Sequence, residues 1–212
     1  MLFRSTPLLT TDFVLEGGSI DTDGQGTLLT TTSCLLSPAR NPGPAHTGRR
    51  QQENLKTEIE NRLKRYLGVH RVLWLEHGRL QGDDTDGHID TLARFAGTDT
   101  IVYAASADAS DPNYASLRHM AGELKQLTRN DGAPYRLVPL PSPVIRDQAG
   151  KYLPASYANF ALVNELVLVP VYGVDMDVTA LETIRQCFVS RQVIGINCRP
   201  LIQQYGSLHC VT

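Results

Sequence analysis

The stretch of the chain richest in chemically capable groups is Gly82-Asp83-Asp84-Thr85-Asp86-Gly87-His88-Ile89-Asp90. If His88 to Phe95 is a strand, its side-chain period of two places His88 and Asp90 on one face. A histidine beside a carboxylate at a strand end supplies a general acid/base and an anionic anchor, and Gly87 permits the tight backbone entry. The same residues also read as an Asp-rich turn around a satisfied histidine. A third reading takes the alternation Asp84, Asp86, His88, Asp90 as hard ligands with one imidazole, suited to Mn²⁺, Mg²⁺ or Zn²⁺. No matching ligand cluster occurs elsewhere in the sequence, so no metal is assigned.

Cys210 follows His209, beyond the flexible pair Gly206-Ser207. Such a cysteine is a nucleophile if its thiolate is favoured, or a packed structural side chain otherwise. Cys34, in an apolar run, Cys187, on the apolar side of a helix, and Cys198 take the structural reading. Adjacent residues in a strand face opposite ways, so His209 is a poor base for Cys210. His88, 122 residues earlier, is the better partner. His46, His70, His77 and His119 have no polar companions at a useful spacing and read as surface or packing residues. Glu16, ahead of Gly17-Gly18, and Asn159, within Ala158-Asn159-Phe160, complete the polar clusters.

Three amphipathic helices position these groups. Leu55, Ile59, Leu63 and Leu67 recur at i, i+4 and end at Gly68. Leu117, Met120, Ala121, Leu124 and Leu127 follow an opening Asp111-Pro112, and Leu181, Ile184 and Phe188 mark the third. Each is followed by a short apolar run: Val72–Leu75, Arg136–Val138 or Val193–Ile196. Each is preceded by strand-like segments: Thr27–Thr31, His88–Phe95 with Thr100–Ala104, and Tyr157–Val163 with Val167–Val171. Loops such as Asn41-Pro42-Gly43-Pro44 and Pro139–Pro143 separate the units. The unit strand-strand-helix-strand therefore occurs three times, as similar units packed around an axis. A strand near Asp12–Gly17 arrives without a helix before it, and Ser207–Thr212 begins a fourth unit. The pattern reads as cut at both ends. Polar clusters at equivalent ends of related strands converge near the axis of such an array, where a pocket forms.

Composition narrows the function classes. The chain has 212 residues, 20 Lys+Arg against 22 Asp+Glu, a net charge of −2, 42% hydrophobic and 20% charged residues. That is ordinary globular composition for one domain. It lacks the clustered basic charge of a nucleic-acid binder and any apolar run long enough to span a bilayer. The start, Met1-Leu2-Phe3-Arg4-Ser5, has no secretory pattern. Four cysteines are too few for a disulfide scaffold, so a reduced cytoplasm is expected.

The clusters together resemble the agmatine deiminase / bacterial-type peptidylarginine deiminase family. The matching stretches are Phe13–Ile20 running into Gly26–Thr31, Gly82–Asp90, Leu153–Phe160 and Gly206–Thr212. The resemblance implies an α/β fold: a five-bladed α/β propeller of ββαβ units, of which residues 1–212 form a single incomplete domain covering about three. It implies that Cys210 attacks the guanidinium carbon of an arginine-like substrate and that His88 is the general acid/base. Asp90 then pairs with the guanidinium nitrogens, Glu16 is a buried partner of the histidine, and Asn159 is a substrate contact. No cofactor is implied. The family's upstream Trp-x-Arg-Asp-x-Gly-Pro motif, whose Asp is a second guanidinium carboxylate, has no counterpart here, and the C-terminus stops two residues after Cys210. The expected activity is conversion of agmatine to N-carbamoylputrescine and ammonia, with peptidyl or free arginine as the alternative substrate. An inactive propeller fragment is the rival from another class. An array cut after about three units is expected to self-associate through its open edges.

Overall fold

The computed structural model describes residues 11–42 and 49–212. The Met1–Ser5 start, His46 and the Gly43-Pro44 end of the first proline loop lie outside them. The first unit comprises β1 (Ile20–Thr22), β2 (Thr27–Thr31), the short helix α1 (Thr32–Leu35), the long helix α2 (Arg49–Leu67) and β3 (Arg71–Leu75). The second comprises β4 (Ala93–Phe95), β5 (Thr100–Ala105), α3 (Tyr114–Leu124) and β6 (Arg136–Pro141). A small antiparallel hairpin, β7 (Ile145–Arg146) with β8 (Tyr152–Leu153), leads to the third. That unit is β9 (Ala161–Val163), β10 (Leu166–Val171), α4 (Met176–Cys187) and β11 (Gln192–Asn197).

The three units share one topology. In each, the first two strands pair antiparallel and the third returns through a helix to lie parallel to the second. The parallel registers begin at Thr27↔Arg71, Thr100↔Arg136 and Leu166↔Gln192. A parallel return needs a crossover, and the amphipathic helices provide it. Leu55, Ile59 and Leu63 of α2 are buried with Leu28 and Cys34, whereas Leu67, at the end of the predicted stripe, is 44% exposed. Gly68, at φ +70°, ends α2 by donating to the Lys64 carbonyl. Leu117, Met120 and Leu124 of α3 pack with Leu73, Ile101 and Tyr103; Ala180 and Ile184 of α4 pack with Val167, Val169 and Tyr172. Helix α3 starts at Tyr114, two residues beyond the Asp111-Pro112 pair, because the Asp111 side chain closes a turn by accepting from Asn113 N.

Four segments expected as strands are not ladders. Residues 12–16 run irregularly into a 3₁₀ turn at Gly17–Ser19. His88 caps a 3₁₀ turn at Ile89–Thr91, so the strand begins only at Ala93. Residues 157–160 are irregular ahead of β9, and His209–Val211 is again a 3₁₀ turn. Side chains hold these segments in place of strand pairing. Thr30 Oγ1 donates to Ser19 O, Thr31 Oγ1 to Gly87 O, and Ser156 Oγ to Thr91 O. Tyr172 Oη accepts from Ser156 N and donates to Ser156 O. The turns that carry the polar clusters are therefore fixed to rigid strands, which keeps catalytic-type side chains precise while freeing their backbone from the sheet.

Among the described residues, no helix is long and apolar enough to cross a membrane. All four cysteines are unpaired thiols.

Candidate functional site

A cleft of about 640 Å³ opens where the 3₁₀ turns at Gly17–Ser19, Ile89–Thr91 and His209–Val211 meet, lined by Glu16, Gly18, Asp21, His88, Asp90, Arg94, His209 and Cys210 among others. The entry to His88 is built by Asp83, whose carboxylate accepts from Thr85 N, Thr85 Oγ1 and Gly87 N. Thr85 Oγ1 in turn accepts from His88 N at 3.1 Å. Gly87 sits at φ +84°, a conformation that side chains disfavour. His88 and Asp90 do come together, on a tight turn and not on a strand face. Gly18 shows how closely they approach: a Cβ there would lie 2.6 Å from His88 Nδ1 and 2.8 Å from Asp90 Oδ2. Gly17-Gly18, a weak signal in the sequence, thus contains a steric requirement of the site.

On one wall stands Glu16. His88 Nε2 lies 3.2 Å from Glu16 Oε2, not aligned for a hydrogen bond. The expected burial of Glu16 is corrected here, since its side chain is 40% exposed. Its strongest partner is Arg40, which sequence reasoning missed. Arg40 Nε and Nη2 both donate to the Glu16 carboxylate, Nη1 donates to Asp86 at 2.7 Å and Nη2 to Thr85 O at 2.9 Å. Partial burial alone would push the Glu16 carboxyl up. The Arg40 guanidinium and then His88 outweigh it and hold the group below the usual carboxylate range. Arg40 lies 24 residues from Glu16 with no pattern around it, so no sequence signal marked it.

The opposite wall is buried. Asp90 and Asn159 are fully inaccessible. Asp90 Oδ2 accepts from Asn159 Nδ2 at 3.0 Å and pairs with His209 Nδ1 at 2.9 Å, while Asp90 Oδ1 has no partner among the described residues. The Asn159 side chain also lies 3.6–3.7 Å from Cys210 Sγ and accepts from His209 N at 2.9 Å. Asn159 is spent on Asp90, Cys210 and the His209 backbone. His209 was set aside on the assumption of a strand; the 3₁₀ turn removes the alternation and sends its imidazole to Asp90. Cys210 is open to the cleft. The surrounding protein, followed by the Asp90 charge, pushes its thiol above the ordinary range.

A buried ion pair closes the back. Arg94 Nε donates to Asp21 Oδ1 at 2.6 Å, Arg94 Nη1 to Phe160 O at 3.0 Å, and the guanidinium stacks over the Phe160 ring at 4.9 Å. Asp21 belongs to β1, Arg94 to β4, and Phe160 precedes β9, so one arginine joins all three units. Burial drives the Asp21 carboxyl up, with Arg94 opposing.

The alternating set Asp84, Asp86, His88 and Asp90 does not gather as metal ligands. Among the described residues, the group whose donor atoms approach within 4.8 Å is Glu16, Cys34 and His88. Arg40 already supplies positive charge at Glu16, and burial pushes the Cys34 thiol up to about 12. Both oppose a cation there. Cys34 keeps its buried structural reading, although its Sγ lies 3.7 Å from Glu16. His77 and His70 find partners distant in sequence: Glu123 Oε1 at 2.5 Å and Asn130 at 3.2 Å.

Three ββαβ units converging a thiol, an imidazole and several carboxylates on one cleft define an α/β architecture with an enzyme-like centre. The chain belongs to the Porphyromonas-type peptidyl-arginine deiminase family, which it matches over residues 2–212. A curated protein of Vibrio parahaemolyticus, named "Putative agmatine deiminase", is 38% identical over 94% of this chain and 57% of its own length. The solved structure of a "Putative Arginine Deiminase" from Porphyromonas gingivalis is 56% identical, with a TM-score of 0.85 over 94% of this chain and 56% of that one. A cysteine-to-serine variant of C. jejuni agmatine deiminase, solved with substrate bound, is 37% identical, with a TM-score of 0.80 over 94% of this chain and 55% of that one. The chain spans somewhat over half the length of the relatives it matches.

Proposed function

We propose that the protein is a deiminase that hydrolyses the guanidino group of agmatine to N-carbamoylputrescine and ammonia through a covalent cysteine intermediate. The observation that carries this reading is the meeting of Cys210, His88, Glu16 and Asp90 on one cleft, from three sequence segments spread across the chain. Support comes from family membership and from the agmatine deiminases among the similar proteins.

In this reading the planar guanidinium lies against Asp90. Cys210 Sγ passes its proton to His88 and attacks the guanidinium carbon. The tetrahedral adduct collapses as His88 returns the proton to one nitrogen, which leaves as ammonia, and an S-alkylthiouronium remains on Cys210. Water then gives a proton to His88 and adds to the same carbon. The C–S bond breaks, the sulfur recovers its proton, and the ureido product leaves. Glu16 stabilises the imidazolium that forms twice in the cycle. Burial and the Asp90 charge hold the Cys210 proton in place. A bound cation reverses that local charge balance, so the thiolate forms where substrate is present. Asn159 acts by bracing Asp90 and Cys210. The three units are part of a five-bladed closed array.

The test is ammonia release from agmatine, free arginine and a peptide ending in arginine, measured side by side on the folded protein. The reading requires the highest kcat/KM for agmatine, with N-carbamoylputrescine as product. Equal or better turnover of the peptide overturns the substrate assignment, and absence of turnover on all three by folded protein overturns the enzyme reading.

A further inference from the structure

We infer that His209 is a positioning residue that orients the substrate-binding carboxylate: it fixes Asp90 through Oδ2 and so leaves Oδ1 for a guanidinium N–H. The inference rests on the deiminase reading and adds a residue to it. Asp90 is wholly buried, yet among the described residues only one of its two oxygens finds a partner. A buried charged oxygen without a partner is costly and rare, so a structure that keeps one has a use for it. The satisfied oxygen carries two contacts, Asn159 Nδ2 at 3.0 Å and His209 Nδ1 at 2.9 Å. Two donors on one oxygen, from different segments, stop the carboxylate from rotating to present that oxygen to a ligand. Since a carboxylate only accepts, the imidazole must carry its proton on Nδ1.

His209 is also coupled to the nucleophile. Its backbone N donates to Asn159 Oδ1 at 2.9 Å, and Cys210 is the next residue on the same 3₁₀ turn. One turn thus delivers the thiol to the cleft and the locking donor to the carboxylate, fixing sulfur and guanidinium anchor relative to one another.

The experiment measures protection of Cys210 from iodoacetamide by agmatine, scored from initial alkylation rates, which reads occupancy of the cleft at the nucleophile. Three forms are compared: wild type, His209→Ala and His209→Asn. The Asn side chain places an N–H two bonds beyond Cβ, where the imidazole has Nδ1. A hydrogen bond to a charged group is worth about ten- to a hundredfold in affinity. His209→Ala should therefore raise the half-protecting agmatine concentration by about that factor. Its unprotected alkylation rate should stay within about threefold, because a small neutral reagent does not need Asp90, and His209→Asn should recover most of the loss. Unchanged protection in His209→Ala overturns the inference while leaving the deiminase reading intact. Equal losses in both variants, or a collapse of alkylation in step with protection, also overturn it, since they indicate a merely structural role for the turn. If no guanidino compound protects wild type, the deiminase reading fails. The ring ¹⁵N shifts of His209 then decide the geometry: an Nδ1–H tautomer upholds the lock on Asp90 and an Nε2–H tautomer overturns it.

Discussion

On one wall of the cleft Glu16 is 40% exposed and shared between Arg40 and His88; on the other, Asp90 is fully buried, held through one oxygen by Asn159 and His209, with the second unpaired. The first carboxylate sits where water screens it and a guanidinium of the protein already neutralises it. The second has no guanidinium of its own. Two carboxylates beside the same glycine turn are thus prepared for different work. In the proposed mechanism Glu16 stabilises charge that arises on His88, while Asp90 takes a cation from outside. A desolvated, half-satisfied carboxylate is costly by itself and strongly attractive to a matching ligand, whereas a screened pair contributes little.

The largest effect is expected from removing the group both walls serve. Cys210→Ala should lower turnover by at least about a thousandfold, as nucleophile removal generally does, with thermal stability nearly unchanged because the side chain is small and open to the cleft. Residual activity above a few per cent would move the nucleophile elsewhere. Next is the buried pair behind the cleft. Asp21→Ala leaves the Arg94 guanidinium buried without its carboxylate, and should cost about 3–5 kcal/mol of unfolding free energy in denaturant titration. Asp21→Leu combined with Arg94→Met should recover much of that loss. A mild effect of the single change would show that the backbone contact to Phe160 alone suffices for Arg94.

Asp90→Asn tests the buried wall. It should raise KM and lower kcat together, by roughly 2–5 kcal/mol in kcat/KM. A change confined to melting temperature would reduce Asp90 to a structural group. The smallest effect belongs to the exposed wall. Arg40→Met removes the main cause of the lowered Glu16 carboxyl, and with Glu16 more than a third exposed the loss should stay at or below about 1 kcal/mol. Its pH dependence has a definite sign. The folded Glu16 titrates below its ordinary 4.5, so the pair stabilises fully above that value and its contribution fades as the pH falls below it. The stability gap between wild type and Arg40→Met, measured by denaturation at about pH 7 and about pH 3.5, should therefore narrow in acid. A gap that widens would mean that Glu16 is not the group Arg40 holds.

Much of the fold was legible because apolar periodicity reports which face of a helix is buried. Ile59 of α2, Met120 of α3 and Ile184 of α4 all lie in the core, as their spacing requires. Repetition of the helix-then-strand pattern likewise foretold three units of one topology. The departures fall at the site. His88–Leu92, residues 157–160 and His209–Val211 have strand-like composition, but their backbone is tied by contacts from other segments, Thr31 and Ser156 to the His88 turn, Tyr172 to Ser156, and Asn159 to His209. No local pattern reveals such long-range contacts. The misreading of His209 followed directly, since period-two reasoning fails on a 3₁₀ turn. Cys210, His88, Asp90 and Glu16 were reachable through glycine-flanked polar clusters. Arg40 and Arg94 were not, because an arginine's partner is set by the fold and its own neighbours carry no sign of it.

The proposed mechanism turns on a covalent bond between Cys210 and the guanidino carbon of agmatine. Rapid acid quench of the active protein during turnover, followed by peptide mass spectrometry, tests it directly. An amidino-type adduct of the substrate is expected on the peptide containing Cys210, appearing before product and absent from Cys210→Ala. An adduct on Cys34, Cys187 or Cys198, or N-carbamoylputrescine formed by Cys210→Ala at the wild-type rate, would contradict it.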